Sequence, residues 1–73
     1  YGLQRAFKMA GVNIIVMSLW EVPDIETAEF MSLFYSNWMQ NNKVKEAFNE
    51  AQRTMQNKYS DKPEKWAAFV LFE

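Results

Sequence analysis

Cysteine and histidine are both absent from the chain. Disulfides, thiolate or imidazole metal sites, Cys-His dyads and Ser-His-Asp triads are therefore excluded. Carboxylates, lysines, hydroxyls and the backbone remain for any chemistry. Without a histidine to serve as base, Ser18, Ser32, Ser36 and Ser60 are not read as nucleophiles. The densest group of reactive side chains is Trp20-Glu21-Val22-Pro23-Asp24, continued by Glu26 and Glu29. An oxygen-ligand cation site is one reading of these four carboxylates, but the D-x-D-x-D-G spacing of a calcium loop is missing. Negative charge gathered at a helix N-terminus accounts for them better, with Asp24 as the N-cap. The stretch also follows the C-terminal end of a buried strand, the edge where open α/β sheets place ligand-binding groups.

Whatever these residues do, the chain must first position them. It has 73 residues, 49% of them hydrophobic, which describes one globular unit: too apolar for disorder and too short for two domains. Such a unit buries only about 60% of the surface its unfolded chain exposes, so partner surfaces are a common supplement. Eight basic against nine acidic residues give a net charge of -1, which exerts no general pull on nucleic acid or an anionic membrane. The lysines and arginine of the C-terminal half alternate with Glu46, Glu50, Asp61 and Glu64, the pattern of a solvated face. The longest apolar runs, residues 14–17 and 66–72, fall far short of the roughly 18 to 20 residues needed to span a bilayer. The first ten residues hold no initiator Met and no secretory pattern, and they already read as an amphipathic helix in progress. A section of something larger, in a cytoplasmic setting, is the expectation.

Leu3, Ala6, Phe7 and Ala10 recur at helical spacing, and Gly11 follows where a left-handed residue is easily tolerated, so the pattern predicts a short helix ending at Gly11. Residues 13–20 are continuously apolar and β-branched at their centre, which predicts an interior strand covered on both faces. From Asp24 to about Gln40, Ile25, Ala28, Met31, Phe34, Tyr35, Trp38 and Met39 trace one broad helical face, widened by Phe30 and Leu33. Asn41-Asn42 interrupts it, and Val44, Ala47, Phe48, Ala51 and Met55 begin a second, antiparallel helix. After a loop at residues 59–63, Trp66-Ala67-Ala68-Phe69-Val70-Leu71-Phe72 reads as a second buried strand, able to run antiparallel to the first. The predicted order is helix, strand, helix, helix, strand. Two strands alone are marginal in water, so further strands from an upstream segment or a partner are expected. Five methionines and twelve aromatics also exceed what so small a core needs, so part of that surface should be an interface.

Tyr1-Gly2-Leu3-Gln4-Arg5-Ala6-Phe7, Ala10-Gly11-Val12, Ser18-Leu19-Trp20-Glu21-Val22-Pro23-Asp24, Thr27, Met31, Phe34-Tyr35, Ala47, Ala51-Gln52 and Trp66-Ala67-Ala68-Phe69-Val70-Leu71 together resemble the C-terminal part of a CHAT domain. These caspase-like modules are often attached to tetratricopeptide repeats and share a clan with caspases, gingipains and separase. The resemblance implies an α/β fold: the C-terminal fragment of a three-layer α/β/α sandwich, with residues 1–73 as the closing portion of a single CHAT domain. It implies a cysteine peptidase whose catalytic His and Cys precede the segment, so that this chain is inactive alone and contributes pocket residues and sheet strands.

Trp20-Glu21-Val22-Pro23-Asp24 is similar to the Trp-Asp-Val-Thr-Asp segment of separase, where the final Asp lines the pocket for a basic P1 side chain. The resemblance thus makes Asp24 the acidic floor for Arg or Lys and Trp20 a wall able to stack on a guanidinium. Ser18 would present main-chain groups to an extended substrate. No cofactor or metal is expected. The partners implied are the upstream part of the same domain, a protein or peptide substrate, and a second copy through the last strand, whose Phe69, Val70, Leu71 and Phe72 make a sticky edge. Neither nucleic acid nor membrane is among them. The alternative reading is a non-catalytic, caspase-like scaffold.

Overall fold

A computed structural model describes residues 4–9 and 11–73. Strands β1 (Gln4–Met9), β2 (Val12–Ser18) and β3 (Phe69–Phe72) form one antiparallel sheet in the order β1-β2-β3. Between β2 and β3 lie two helices, α1 (Asp24–Asn41) and α2 (Val44–Lys58), and a 3-10 turn at Pro63–Lys65. The fold is mixed α/β, consistent with a fragment of a caspase-like sandwich.

The helix predicted at the N-terminus is replaced by β1. Leu3 and Ala10 lie outside the described residues, and the six residues between carry too little helix to stand alone. Met9 pairs with Val12, so the chain reverses in two positions and continues into a neighbouring strand. Gly11 has the left-handed conformation expected of it, φ 81, but uses it to turn a hairpin rather than to end a helix.

Both helices appear where the periodicity places them. Asn42 closes α1 at φ 60, a conformation Asn tolerates, and its N–H donates to Trp38 O at 2.8 Å. The amide of Asn37 reaches Ala47 O across the turn at 3.3 Å. The two-residue link folds α2 back along α1.

The core is aromatic. Phe30 stacks on Phe69 with centroids 4.3 Å apart, Phe48 meets Phe30 and Phe34 edge-on, and Phe34 stacks on the buried Trp38. Ala47 and Ala51 keep α2 close to this cluster, and Ile14, Val16, Ala68 and Phe69 supply the sheet side. Both helices therefore cover the same face of the sheet.

The opposite face is open, which departs from the expectation of a strand buried on both sides. Ile15 is 39% exposed and its cross-strand partner Phe72 is 54% exposed. Two helices fill one layer, so the described residues build two of the three expected layers.

The final strand also begins three residues later than its composition suggests. The N–H groups of Trp66 and Ala67 donate to Pro63 O, and the Gln52 amide takes Trp66 O. Residues 66–68 thus turn before the ladder starts at Phe69.

Candidate functional site

The sheet's contribution to the site is the C-terminal end of β2. Ser18 is the last residue of that strand, opposite Phe69, and its side chain is buried. Any contact it makes with a substrate must come through the main chain. β2 is central, so β3 already flanks Ser18 on one side, and its position opposite residue 3 lies outside the described residues.

Beyond Ser18, Leu19 N–H donates to Ala68 O at 2.8 Å and the chain leaves the sheet. Val22 is buried and anchors the connection. Its carbonyl accepts from Thr27 Oγ1 at 3.3 Å, while Thr27 N–H donates to Pro23 O at 3.0 Å. These contacts fix residues 19–23 as an ordered bridge from strand to helix.

Trp20 is 38% exposed, and its indole Nε1 donates to Glu64 O at 2.9 Å. One edge of the ring is thereby held against the 3-10 turn. A planar wall held in this way is the kind of surface on which a guanidinium stacks.

Asp24 is the first residue of α1 and is exposed. The N-cap position falls to Pro23, with no side-chain capping bond, so the reading of Asp24 as a cap is corrected. Proline at that position supplies no side-chain acceptor, and the carboxylate one residue on stands on the helix's positive end without closing it. Among the described residues no hydrogen bond or ion pair engages the Asp24 carboxylate. Ser18, Trp20 and Asp24 thus belong to one short stretch at one end of the sheet, with an indole wall and an open anionic group.

The 3-10 turn behind Trp20 owes its position to ion pairs that sequence reasoning assigned to helix-end charge alone. Lys65 Nζ lies 3.0 Å from Glu26 Oε2, with both side chains largely withdrawn from solvent. That hydrogen bond, reinforced by a backbone donor, holds the Glu26 carboxyl below its ordinary range and raises the Lys65 ammonium. One turn further along α1, Glu29 accepts from Lys58 and, at 2.7 Å, from Tyr59 Oη. These donors lower the Glu29 carboxyl, and the same bonds raise Lys58 and the Tyr59 phenol. Lys58 and Lys65 also lie 5.5 and 5.1 Å from the Tyr59 ring centre. Glu26 and Lys65 are 39 positions apart, and no spacing rule connects them.

The remaining ion pairs, Lys43–Glu46, Lys45–Glu73 and Arg53–Glu50, are exposed and of the kind worth about 0–1 kcal/mol each. Among the described residues no three acidic side chains converge to hold a metal, and no helix is long and apolar enough to cross a membrane.

The profile of the CHAT domain matches residues 1–73. The chain belongs to the CHAT domain family. It is 37% identical over 70 residues to human tetratricopeptide repeat protein 28 and 34% identical over 70 residues to the mouse protein of the same name. Each comparison covers 94% of this chain and 3% of the relative, so the CHAT segment here spans a small fraction of the curated relatives it matches. No solved structure matches it. The chain itself contains neither Cys nor His, and Ser18, Trp20 and Asp24 lie at and just beyond the end of β2.

Proposed function

We propose that this chain is the closing, pocket-forming portion of a CHAT-type cysteine peptidase domain, within a larger protein carrying tetratricopeptide repeats. The nucleophilic Cys and its His come from the upstream part of the same domain, because this chain contains neither. Asp24 accepts the Arg or Lys side chain of a protein substrate, Trp20 stacks on it, and the main chain at Ser18 aligns the substrate backbone. The observation that carries this reading is the Asp24 carboxylate, exposed, engaged by no side chain among the described residues, and set beyond the strand that ends at Ser18.

The test is cleavage by the whole protein. Asp24→Ala is expected to abolish hydrolysis after Arg and Lys while leaving partner binding intact, and unchanged hydrolysis would sink the assignment.

A second reading, a non-catalytic scaffold, is favoured by the open sheet face around Ile15 and Phe72. It predicts that Ile15→Ala or Phe72→Ala, both on that open face, disturbs assembly in a protein without proteolysis that depends on a Cys-His pair, and such proteolysis would refute it.

A further inference from the structure

Trp20 precedes α1 and Asp24 begins it, but their mutual pose depends on more than the bend between them. Trp20 is exposed, and a ring with so little packing around it would exchange among rotamers. The bond from its Nε1 to Glu64 O, at 2.9 Å, selects one of them. The indole wall is therefore placed by a carbonyl 44 positions away, and where that carbonyl goes the ring follows.

Glu64 O belongs to a stiff piece of chain. Pro63 opens the 3-10 turn with its φ fixed by the ring, Lys65 N–H donates to Lys62 O at 3.0 Å, and Trp66 N–H donates to Pro63 O at 3.2 Å. The Glu64 carbonyl and the base of the Lys65 side chain thus move together. At its C-terminal end this piece is held to Tyr59 and α2, because Trp66 Nε1 donates to Tyr59 O at 3.0 Å and the Gln52 amide donates to Trp66 O at 3.1 Å. On the other side Lys65 Nζ donates to Glu26 Oε2 at 3.0 Å, with the Tyr59 ring centre 5.1 Å from the ammonium. Glu26 stands in the first turn of α1 with Asp24. The links close a circuit: Asp24 and Glu26 share a helix turn, Glu26 binds Lys65, Lys65 adjoins Glu64, and Glu64 holds Trp20.

We infer that Glu26 and Lys65 are positioning residues for the candidate pocket: their bond ties the turn that holds Trp20 to the helix turn that carries Asp24, and so sets the indole wall against the carboxylate. Both act through Trp20 and neither touches the ligand in this role. The pair suits the task because both side chains are largely withdrawn from solvent, unlike the exposed Lys43–Glu46, Lys45–Glu73 and Arg53–Glu50 pairs. Its effect on binding rests on the pocket reading of Trp20 and Asp24; its effect on the pose of Trp20 does not.

Lys65→Met keeps the apolar stem and removes the ammonium, while the bonds at Trp66 leave the turn attached to α2. A structure of the whole protein carrying this variant is expected to show the Trp20 indole displaced relative to the start of α1, and an unmoved ring would overturn the inference. Hydrolysis by the whole protein of a peptide with arginine before the scissile bond is expected to show KM raised about two- to fivefold, the worth of one exposed cation–π contact, with kcat unchanged. Lys65→Arg should restore KM. Lys58→Met, which breaks the neighbouring pair with Glu29, should leave it as it was. In a Trp20→Phe background, whose ring cannot donate to Glu64, Lys65→Met should add nothing. A full further rise there, or an equal rise in Lys58→Met, would overturn the inference. Glu26→Ala breaks the same bond from the helix side and serves in its place should Lys65→Met misfold. Hydrolysis indifferent to Asp24→Ala would sink the pocket reading alone, and the indole's position in the variant structure would still decide this one.

Discussion

Ile14 and Ile15 are adjacent, chemically identical and differently placed. Ile14 is 2% exposed, under the helices, and Ile15 is 39% exposed on the open face of the same strand. A strand that is apolar on both sides but covered on one carries information about the assembly as well as about its own core. On the helix-covered face, α1, α2 and the sheet-side residues Ile14, Val16, Ala68 and Phe69 close a dense aromatic cluster. The open face, with Ile15 and Phe72 opposite one another, is shaped to receive a further layer, as a segment of a three-layer domain requires.

The largest effect should come from the covered face. Phe30 touches Phe34, Phe48 and Phe69, and Phe30→Ala is expected to cost about 3–5 kcal/mol, measured by urea unfolding. Next, Ile14→Ala should cost about 2–5 kcal/mol and Ile15→Ala less than about 1 kcal/mol in this chain alone. In the complete domain the Ile15→Ala cost should rise toward that of Ile14→Ala; equal small costs in both contexts would mean that no layer covers that face.

A smaller effect distinguishes the turn behind Trp20. Glu26 and Glu29 have lowered pKa values in the fold, so they add stability above the unfolded carboxylate range and lose it as pH falls through their folded values. Lys65 and Lys58 are raised, so their contribution is complete below the unfolded lysine value and is lost as pH rises through the folded one. Stability should therefore plateau at neutral pH and fall at both ends. Glu26→Gln should flatten the acid limb in urea midpoints taken across pH, and an unchanged limb would show that the Lys65 bond is not formed in solution.

The helices were legible in the sequence because each carries one dominant period over many residues, and the central strand because its centre is a continuous apolar, β-branched run. The N-terminal segment was not. Ala6 and Phe7 satisfy a helical face, but six residues are short enough for pairing with β2 to override it, and Gly11's left-handed backbone suits a helix end and a hairpin equally. The start of β3 was hidden by a side-chain donor, the Gln52 amide, and a backbone acceptor, the Pro63 carbonyl, that no composition rule announces. At the candidate site, Trp20 and Asp24 were singled out from their place after a buried strand. The bond from Trp20 to Glu64, 44 residues away, and the Glu26–Lys65 pair behind it required the fold.

Asp24 itself should matter least to folding. Removing its charge from the start of α1 is expected to cost about 0.3–1 kcal/mol. The recognition role proposed for it is tested most directly by a structure of the complete domain bound to a peptide aldehyde ending in arginine. The account predicts the guanidinium within hydrogen-bond distance of the Asp24 carboxylate and stacked on Trp20. An arginine side chain seated against a different carboxylate, with Asp24 left in solvent, would contradict it.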